Sequence, residues 1–167
     1  MLYSKELPKV GGDTLFAGCA AAFDTLSEGM KSTLRSLRAV HSSRHVFGES
    51  AAIPDDMADL FGNADKALQD AEHPVVIKHP LSGRETLYVN PGFTTRFVGW
   101  TEKESNSLLA FLYEHISRPE HTYRFQWSKG ALAFWDNRAT WHLAVNDYPG
   151  ETRLMHRITI EGEPLEP

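Results

Sequence analysis

The sequence predicts a single α+β domain, because helical patterns occupy its first and middle parts and strand patterns occupy its last third. The 167 residues fit one domain of ordinary size, and the 41% hydrophobic content is enough to bury a core. No repeat, low-complexity tract or interior linker divides the chain. Residues 1–167 are therefore interpreted as one domain, or as part of one.

The N-terminal segment is predicted to be a loop or short extended piece, since Gly11-Gly12 interrupts it. An alanine-rich helix from about 17 to 26 should follow. Ser27 is a suitable N-cap for a second helix that runs to about Val40 and carries apolar residues at helical spacing. The first 40 residues are thus expected to be mainly helical.

The stretch from 41 to 72 has the least regular pattern, with polar clusters and one short helical pattern near 57–61. We interpret it as a long surface loop, which is a common position for a lid. Beyond it, strand-like runs at 74–77 and 86–89 flank the Pro80–Gly83 turn, which indicates a hairpin.

A capping box, Thr101 with Glu104, predicts the start of a helix that stops before Pro119. Four strand-like runs follow, at 123–127, 131–135, 141–145 and 152–160. Alternate residues of a strand share a face, so His142 and Ala144 should point one way and Trp141 the other.

Two arginines, Arg153 and Arg157, should share one face of the last strand, about 13 Å apart. Guanidinium groups on an otherwise apolar strand are costly unless each has an anionic partner. A small anion is therefore the ligand class that this strand favours.

The overall charge argues against nucleic-acid binding through a basic face, since 17 Lys+Arg stand against 22 Asp+Glu. A single cysteine, Cys19, excludes an internal disulfide and favours a reducing compartment; its simplest role is a buried apolar residue. No apolar run approaches the roughly 20 residues of a membrane span, and no secretion signal is recognised. We expect a cytoplasmic protein that uses neither nucleic acid nor membrane.

Several motifs occur in a characteristic order. They are Gly11-Gly12-Asp13-Thr14, His73-Pro74-Val75-Val76 with the Ser82-Gly83 turn, Tyr88-Val89-Asn90 leading to Gly92-Phe93-Thr94-Thr95-Arg96, and the segment 135–142, WDNRATWH. Arg153 and Arg157 follow His142 by 11 and 15 residues. With these motifs and spacings the sequence resembles the taurine/2-oxoglutarate-dependent dioxygenase family over nearly its whole length.

The resemblance implies a double-stranded β-helix, or jelly roll, with flanking helices. Members of this family hold iron(II) with two histidines and one carboxylate, which leaves sites for 2-oxoglutarate and dioxygen. By resemblance His142 is the distal histidine ligand. Arg153 would bind the far carboxylate of 2-oxoglutarate as a bidentate pair, and Thr14 would add a hydroxyl to it.

For the substrate, the resemblance assigns Arg157 to an anionic group, which is a sulfonate in taurine dioxygenase. Phe93 and Trp135 would line the apolar part of the pocket. The implied reaction is hydroxylation of a small anionic organic substrate, after which a taurine-like product falls apart to aldehyde and sulfite. The resemblance also leaves a homo-oligomer open, since members often form dimers or tetramers.

One family feature is missing. The other two iron ligands normally lie on a His-x-Asp or His-x-Glu motif upstream of the Gly-Gly-Asp-Thr segment, and none of the eight histidines begins such a motif. A gene fragment, a misplaced start codon or a truncated record would each produce this pattern. Since one imidazole cannot hold catalytic iron, residues 1–167 alone are expected to be inactive.

Two rival functions stay open: a catalytically inactive jelly roll with at most anion binding, and a cupin-type binding module, which would need more histidines clustered on strands. Individual residues also have structural alternatives. Arg157 could pair with Asp136 or with a surface carboxylate, and Thr14 could cap the first helix. Phe93 and Trp135 could simply fill the core. Four histidines are interpreted as loop or solvent-facing residues, namely His73, His79, His115 and His121. His41 is a weaker pocket candidate.

Overall fold

The computed structural model describes residues 1–42, 70–162 and 165. The predicted long surface loop at 41–72, with its short helix near 57–61, lies almost wholly outside the described residues. The strands are β1 (Leu2–Glu6), β2 (Thr14–Gly18), β3 (Arg38–His41), β4 (Ala71–Pro74), β5 (Val76–Lys78), β6 (Glu85–Leu87), β7 (Thr94–Phe97), β8 (Thr122–Phe125), β9 (Leu132–Ala133), β10 (Thr140–Ala144) and β11 (Leu154–Arg157). The helices are α1 (Cys19–Asp24), α2 (Glu28–Arg35) and α3 (Glu102–Ile116), and a 3-10 turn spans Pro119–His121.

Among the described residues the strands form three small sheets and one hairpin. Their orders are β11-β1-β9, β10-β2-β8 and β4-β3-β7, and β5 pairs with β6. All of these pairings are antiparallel. The predicted mixture of helix and antiparallel strand is therefore confirmed, and so is the hairpin around the Pro80–Gly83 turn.

The helices begin where the capping residues predict. Ser27 accepts a hydrogen bond from the Met30 amide at the start of α2. The Thr101 and Glu104 side chains cap α3 reciprocally. The predicted end of the second helix at Val40 was wrong, because α2 stops at Arg35.

Residues 38–41 instead form β3, which is held by backbone hydrogen bonds to β4 and β7. The N-terminal loop prediction was also incomplete, since Leu2–Glu6 is a strand between β9 and β11. In both places pairing with distant strands outweighed the local pattern.

The apolar core lies between the helices and the strands of the middle of the chain. Its fully buried members include Leu34, Val75, Phe97, Leu112 and Ile116. The sheet that carries β10 contributes Ala17 to this core and packs Trp141 against it. No helix in the described ranges is long and apolar enough to cross a membrane.

Candidate active site

Strand β10 separates the core from the candidate site. It pairs with β2 so that His142 lies opposite Phe16 and Ala144 opposite Thr14. Trp141 points the other way, and its indole N–H donates to the Val89 carbonyl at 2.9 Å. The predicted alternation is therefore confirmed, with Trp141 facing the core.

A row of aromatic rings extends from His142 across this face. Ring centroids are 4.9 Å apart for His142 and Trp135 and 5.2 Å for Trp135 and Phe16. The row continues from Phe16 to Phe125 at 6.4 Å and from Phe125 to Trp127 at 4.7 Å. It places His142 and Trp127 at opposite ends of one apolar surface.

Arg153 lies at the Trp127 end. Its guanidinium carbon is 5.9 Å from the Trp127 ring centroid, within the range of a cation–π contact. Nε donates to the Gly12 carbonyl at 2.9 Å. Nη2 is buried and has no hydrogen-bond partner in the described part of the chain. A buried guanidinium N–H without an acceptor is costly, and a bound carboxylate would remove that cost.

Thr14 lies beside this arginine and is almost fully buried, with 2% exposure. Its hydroxyl oxygen accepts a hydrogen bond from the Trp127 indole at 3.0 Å, so the hydroxyl hydrogen is available to donate elsewhere. The alternative that Thr14 caps the first helix was wrong, since Thr14 is a strand residue and the N-cap of α1 is Gly18. Sequence reasoning missed Trp127, although its spacing from Tyr123 and Phe125 on alternate positions was a usable signal.

The Gly11-Gly12 pair lets the backbone approach Arg153 closely. Gly12 has φ +71°, and a Cβ there would lie 3.1 Å from Arg153 Cδ. The Gly12 amide donates to the Asp147 carboxylate at 2.7 Å, and Asp13 forms an ion pair with Arg124 at 2.6 Å. The Gly-Gly-Asp-Thr motif therefore shapes the wall around the guanidinium.

His142 is exposed on one side and packs against Trp135 on the other. Partial burial, followed by the charge of Arg157, lowers its pKa. A lowered pKa favours the neutral imidazole, which is the form that binds metal ions. Within the described ranges no group of three His, Cys, Asp or Glu side chains could hold a metal ion.

Arg157 is exposed on β11, opposite Leu2 of β1. It does not pair with Asp136, whose carboxylate is bound by Arg138 and His79. Its charge instead acts on His142. The structure thus brings Thr14 and Arg153 together, and His142, Trp135 and Arg157 together, at two ends of one aromatic surface.

A cavity of about 600 Å³ opens beside β10 and is lined by Phe93 and His142 among others. Its far wall contains three mutually packed rings, His41, His73 and Tyr88, with centroids 5.1 to 5.5 Å apart. Burial and the charge of His73 lower the pKa of His41 to about 4. The His41 side chain in this wall is therefore uncharged near neutral pH. Phe93 is 37% exposed and is not a core residue.

The interpretation of four histidines as loop or solvent-facing residues was wrong for His115 and His121. Both are buried, with 7% and 8% exposure, and both contact the Thr25 hydroxyl, at 3.1 and 3.0 Å. His73 is half-buried in the cavity wall. His79 is half-buried as well and contacts Asp136.

Comparison with known proteins agrees with this geometry. The model of the family described as "Taurine catabolism dioxygenase TauD, TfdA family" matches residues 1–159. An alpha-ketoglutarate-dependent sulfate ester dioxygenase from Pseudomonas putida is 38% identical over 167 residues, which is 98% of this chain and 54% of that protein. The chain spans about half the length of the curated relatives it matches, and it covers their C-terminal part.

Solved structures give the same result. A taurine dioxygenase from Burkholderia xenovorans superposes with a TM-score of 0.75 at 37% identity, over 92% of this chain and 48% of that one. The structure of AAD-2 in complex with Mn(II) and N-oxalylglycine has a TM-score of 0.77 at 26% identity, over 93% and 59%. The chain therefore belongs to the taurine dioxygenase TauD/TfdA family.

Proposed function

We propose that this chain provides the C-terminal part of the active site of an iron(II)- and 2-oxoglutarate-dependent dioxygenase, built on a double-stranded β-helix. The substrate would be a small organic anion, a sulfate ester or a sulfonate such as taurine. The sulfate ester dioxygenase and taurine dioxygenase among its relatives support this substrate class. The observation that carries the proposal is the half-buried Arg153, whose buried Nη2 lacks an acceptor among the described residues.

The 2-oxoglutarate corner consists of Arg153, Thr14 and Trp127. Arg153 would bind the far carboxylate of 2-oxoglutarate as a bidentate pair. Its Nη2 has no partner among the described residues, and the Gly12 carbonyl and the Trp127 ring hold the plane of its guanidinium group. Thr14 would donate its hydroxyl hydrogen to the same carboxylate, because its oxygen is already occupied by the Trp127 indole. This corner fits a carboxylate, which would supply the acceptor that Arg153 Nη2 lacks.

At the other end of the aromatic row, His142 would be a metal ligand through its neutral imidazole. The Mn(II) complex of the AAD-2 neighbour supports a metal in this family. Iron(II), when bound there with 2-oxoglutarate, would activate dioxygen for hydroxylation of a substrate C–H bond. The rings of Trp135 and Phe16 flank His142 and exclude water from that side.

The substrate would lie between Arg157 and the cavity beside Phe93. Arg157 has no ion pair among the described residues, and its charge is close enough to lower the pKa of His142. A sulfate or sulfonate group would be its partner, and Phe93 and Trp135 would contact the organic part. The two other iron ligands would come from a His-x-Asp or His-x-Glu motif, which residues 1–167 do not contain.

A chimera tests this proposal. The part of the Pseudomonas putida sulfate ester dioxygenase that precedes its match to this chain would be fused to residues 1–167, and succinate formation would be measured with iron(II), ascorbate, dioxygen and an alkyl sulfate. We expect turnover that His142→Ala abolishes, while residues 1–167 alone give none. A folded chimera without turnover, or one whose turnover survives His142→Ala, would favour the inactive jelly roll instead.

A further inference from the structure

A contact between two distant loops points to an additional functional residue. His79 lies in the turn that connects β5 and β6, and its ring reaches Asp136 at 3.1 Å across 57 residues of sequence. Asp136 opens the turn that leads into β10 and so to His142. We propose that His79 is a positioning residue, which fixes this turn and thereby sets the relative placement of Trp135 and His142. The importance of that placement rests on the proposed function.

The hydrogen bonds around His79 define its tautomer. Nδ1 accepts from the Ser82 amide at 3.2 Å, and the Ser82 hydroxyl lies 3.1 Å from the same nitrogen. Because Nδ1 is an acceptor, the proton of the neutral ring is on Nε2. Nε2 therefore donates to Asp136 Oδ2. Ser82 orients the ring, which explains a serine in this turn.

Asp136 also holds the turn that follows it. Its Oδ1 accepts from the Arg138 amide at 2.9 Å, and its Oδ2 accepts from Arg138 Nη2 at 2.7 Å. The Asp136 carbonyl accepts from the Ala139 amide at 3.2 Å, which closes the turn. The side-chain hydrogen bond from Arg138 is the main reason that the pKa of the Asp136 carboxyl lies well below its usual range. The carboxylate therefore stays charged. His79 adds a side-chain contact from the β5–β6 turn to this local unit, beside the backbone hydrogen bond that the Cys19 amide donates to the Ala139 carbonyl at 2.9 Å.

The two ends of the turn carry the candidate site residues. Trp135 immediately precedes Asp136, and its indole donates to Asn137 Oδ1 at 2.8 Å. At the other end β10 brings His142 back against the Trp135 ring, with centroids 4.9 Å apart. A displacement of Asp136 would move the turn and so change that ring contact. His79 opposes such a displacement from outside the site, through its hydrogen bond to Asp136.

The same hairpin offers a matched control. Arg84 forms an ion pair with Asp24 at 2.6 Å, which fastens the hairpin to the end of α1 without touching the Asp136 turn. Arg84→Ala removes another side-chain tie of the same hairpin and should leave the site alone. Glutamine at position 79 can place an amide N–H near the Nε2 position, whereas the shorter asparagine can reach only the Nδ1 position. His79→Gln is therefore the rescue variant and His79→Asn its negative counterpart.

The experiment records the indole N–H signals of the chain in ¹H–¹⁵N NMR spectra, with that of Trp135 assigned from Trp135→Phe. Trp127 and Trp141, whose indoles bond to Thr14 and Val89, are internal references. We expect His79→Ala and His79→Asn to shift or broaden the Trp135 signal while both references stay in place. His79→Gln should restore the wild-type position, and Arg84→Ala should leave it unchanged.

Three outcomes would overturn the proposal: a Trp135 signal unaffected by His79→Ala, an equal displacement in Arg84→Ala, or no restoration by glutamine. Thermal unfolding of each variant shows whether the domain is intact, and a His79→Ala protein that does not fold leaves the glutamine and asparagine pair to decide. The signals are read without iron, 2-oxoglutarate or turnover. Failure here is therefore distinguishable from failure of the proposed dioxygenase activity.

Discussion

The two halves of the molecule bury their apolar side chains very differently. Among the described residues between 17 and 116, the helices and the central strands enclose one core, in which Phe97 and Leu112 are fully buried. Among the described residues from 122 to 162 only Ala133 is buried. Phe134 and Leu143, at 69% and 61% exposure, belong to this second region. Most of the candidate site residues lie on the less buried half.

The difference shows where the stability of this chain originates. Burying apolar surface contributes about 25 cal/mol per Å², so the half with the enclosed core should dominate the free energy of unfolding. The strand half is held mainly by backbone pairing to β1 and β2, which come from the other end of the chain. His142 and Arg157, to which the proposed function gives the metal and the substrate, stay exposed in such an arrangement.

A matched pair of phenylalanine substitutions would break or support this comparison. Phe97→Ala removes a fully buried ring, so we expect a loss of about 3–5 kcal/mol in the free energy of unfolding. Phe134→Ala removes a ring that is 69% exposed and should change it by less than about 0.5 kcal/mol. Urea unfolding of both variants measures the difference. Equal losses would mean that the strand half is as well packed as the core.

A pH titration would sharpen the comparison at the cavity wall. Burial and then His73 lower the pKa of His41 from 6.5 to about 4 in the folded chain. Between these values the unfolded chain binds a proton that the folded chain does not, so the contribution of neutral His41 is complete above about pH 6.5 and is lost as the pH falls toward 4. We expect His41→Gln to flatten the loss of stability between those pH values.

The control for that titration is His156→Gln, which changes an exposed histidine on β11. As an exposed side chain, His156 should contribute little to the free energy of unfolding, so the variant supplies the reference curve for His41→Gln. If His41→Gln follows the wild-type curve from pH 6.5 to 4, the ring is not held neutral by its surroundings.

Local chemistry made several elements predictable from the sequence. The Thr101–Glu104 capping box located α3, Ser27 located α2, and alternation in β10 separated Trp141 from His142. Each of these features depends on residues within a few positions of one another. The family resemblance was also informative, since it assigned Thr14 and Arg153 to one carboxylate, and in the structure both residues contact Trp127.

The remainder depended on contacts between distant residues. The strand Leu2–Glu6 exists because β9 and β11 lie on either side of it, and residues 38–41 are extended because β4 and β7 flank them. Trp127 joined the Arg153 corner through a hydrogen bond to Thr14, across 113 residues. The buried pair His115 and His121 shares the Thr25 hydroxyl, which no local pattern could indicate.

The most direct test of the account follows the Trp127 indole N–H signal during a titration with 2-oxoglutarate. We predict a saturable shift in the wild type that Arg157→Ala retains. Arg153→Ala should weaken binding by about 2–5 kcal/mol, roughly 30- to 5,000-fold, because it removes one side of a charge-assisted pair. Arg153→Lys should rescue poorly, since a point charge cannot replace the two-pronged contact. A wild-type signal that never moves, or equal losses in Arg153→Ala and Arg157→Ala, would contradict the assignment of this corner to the keto acid.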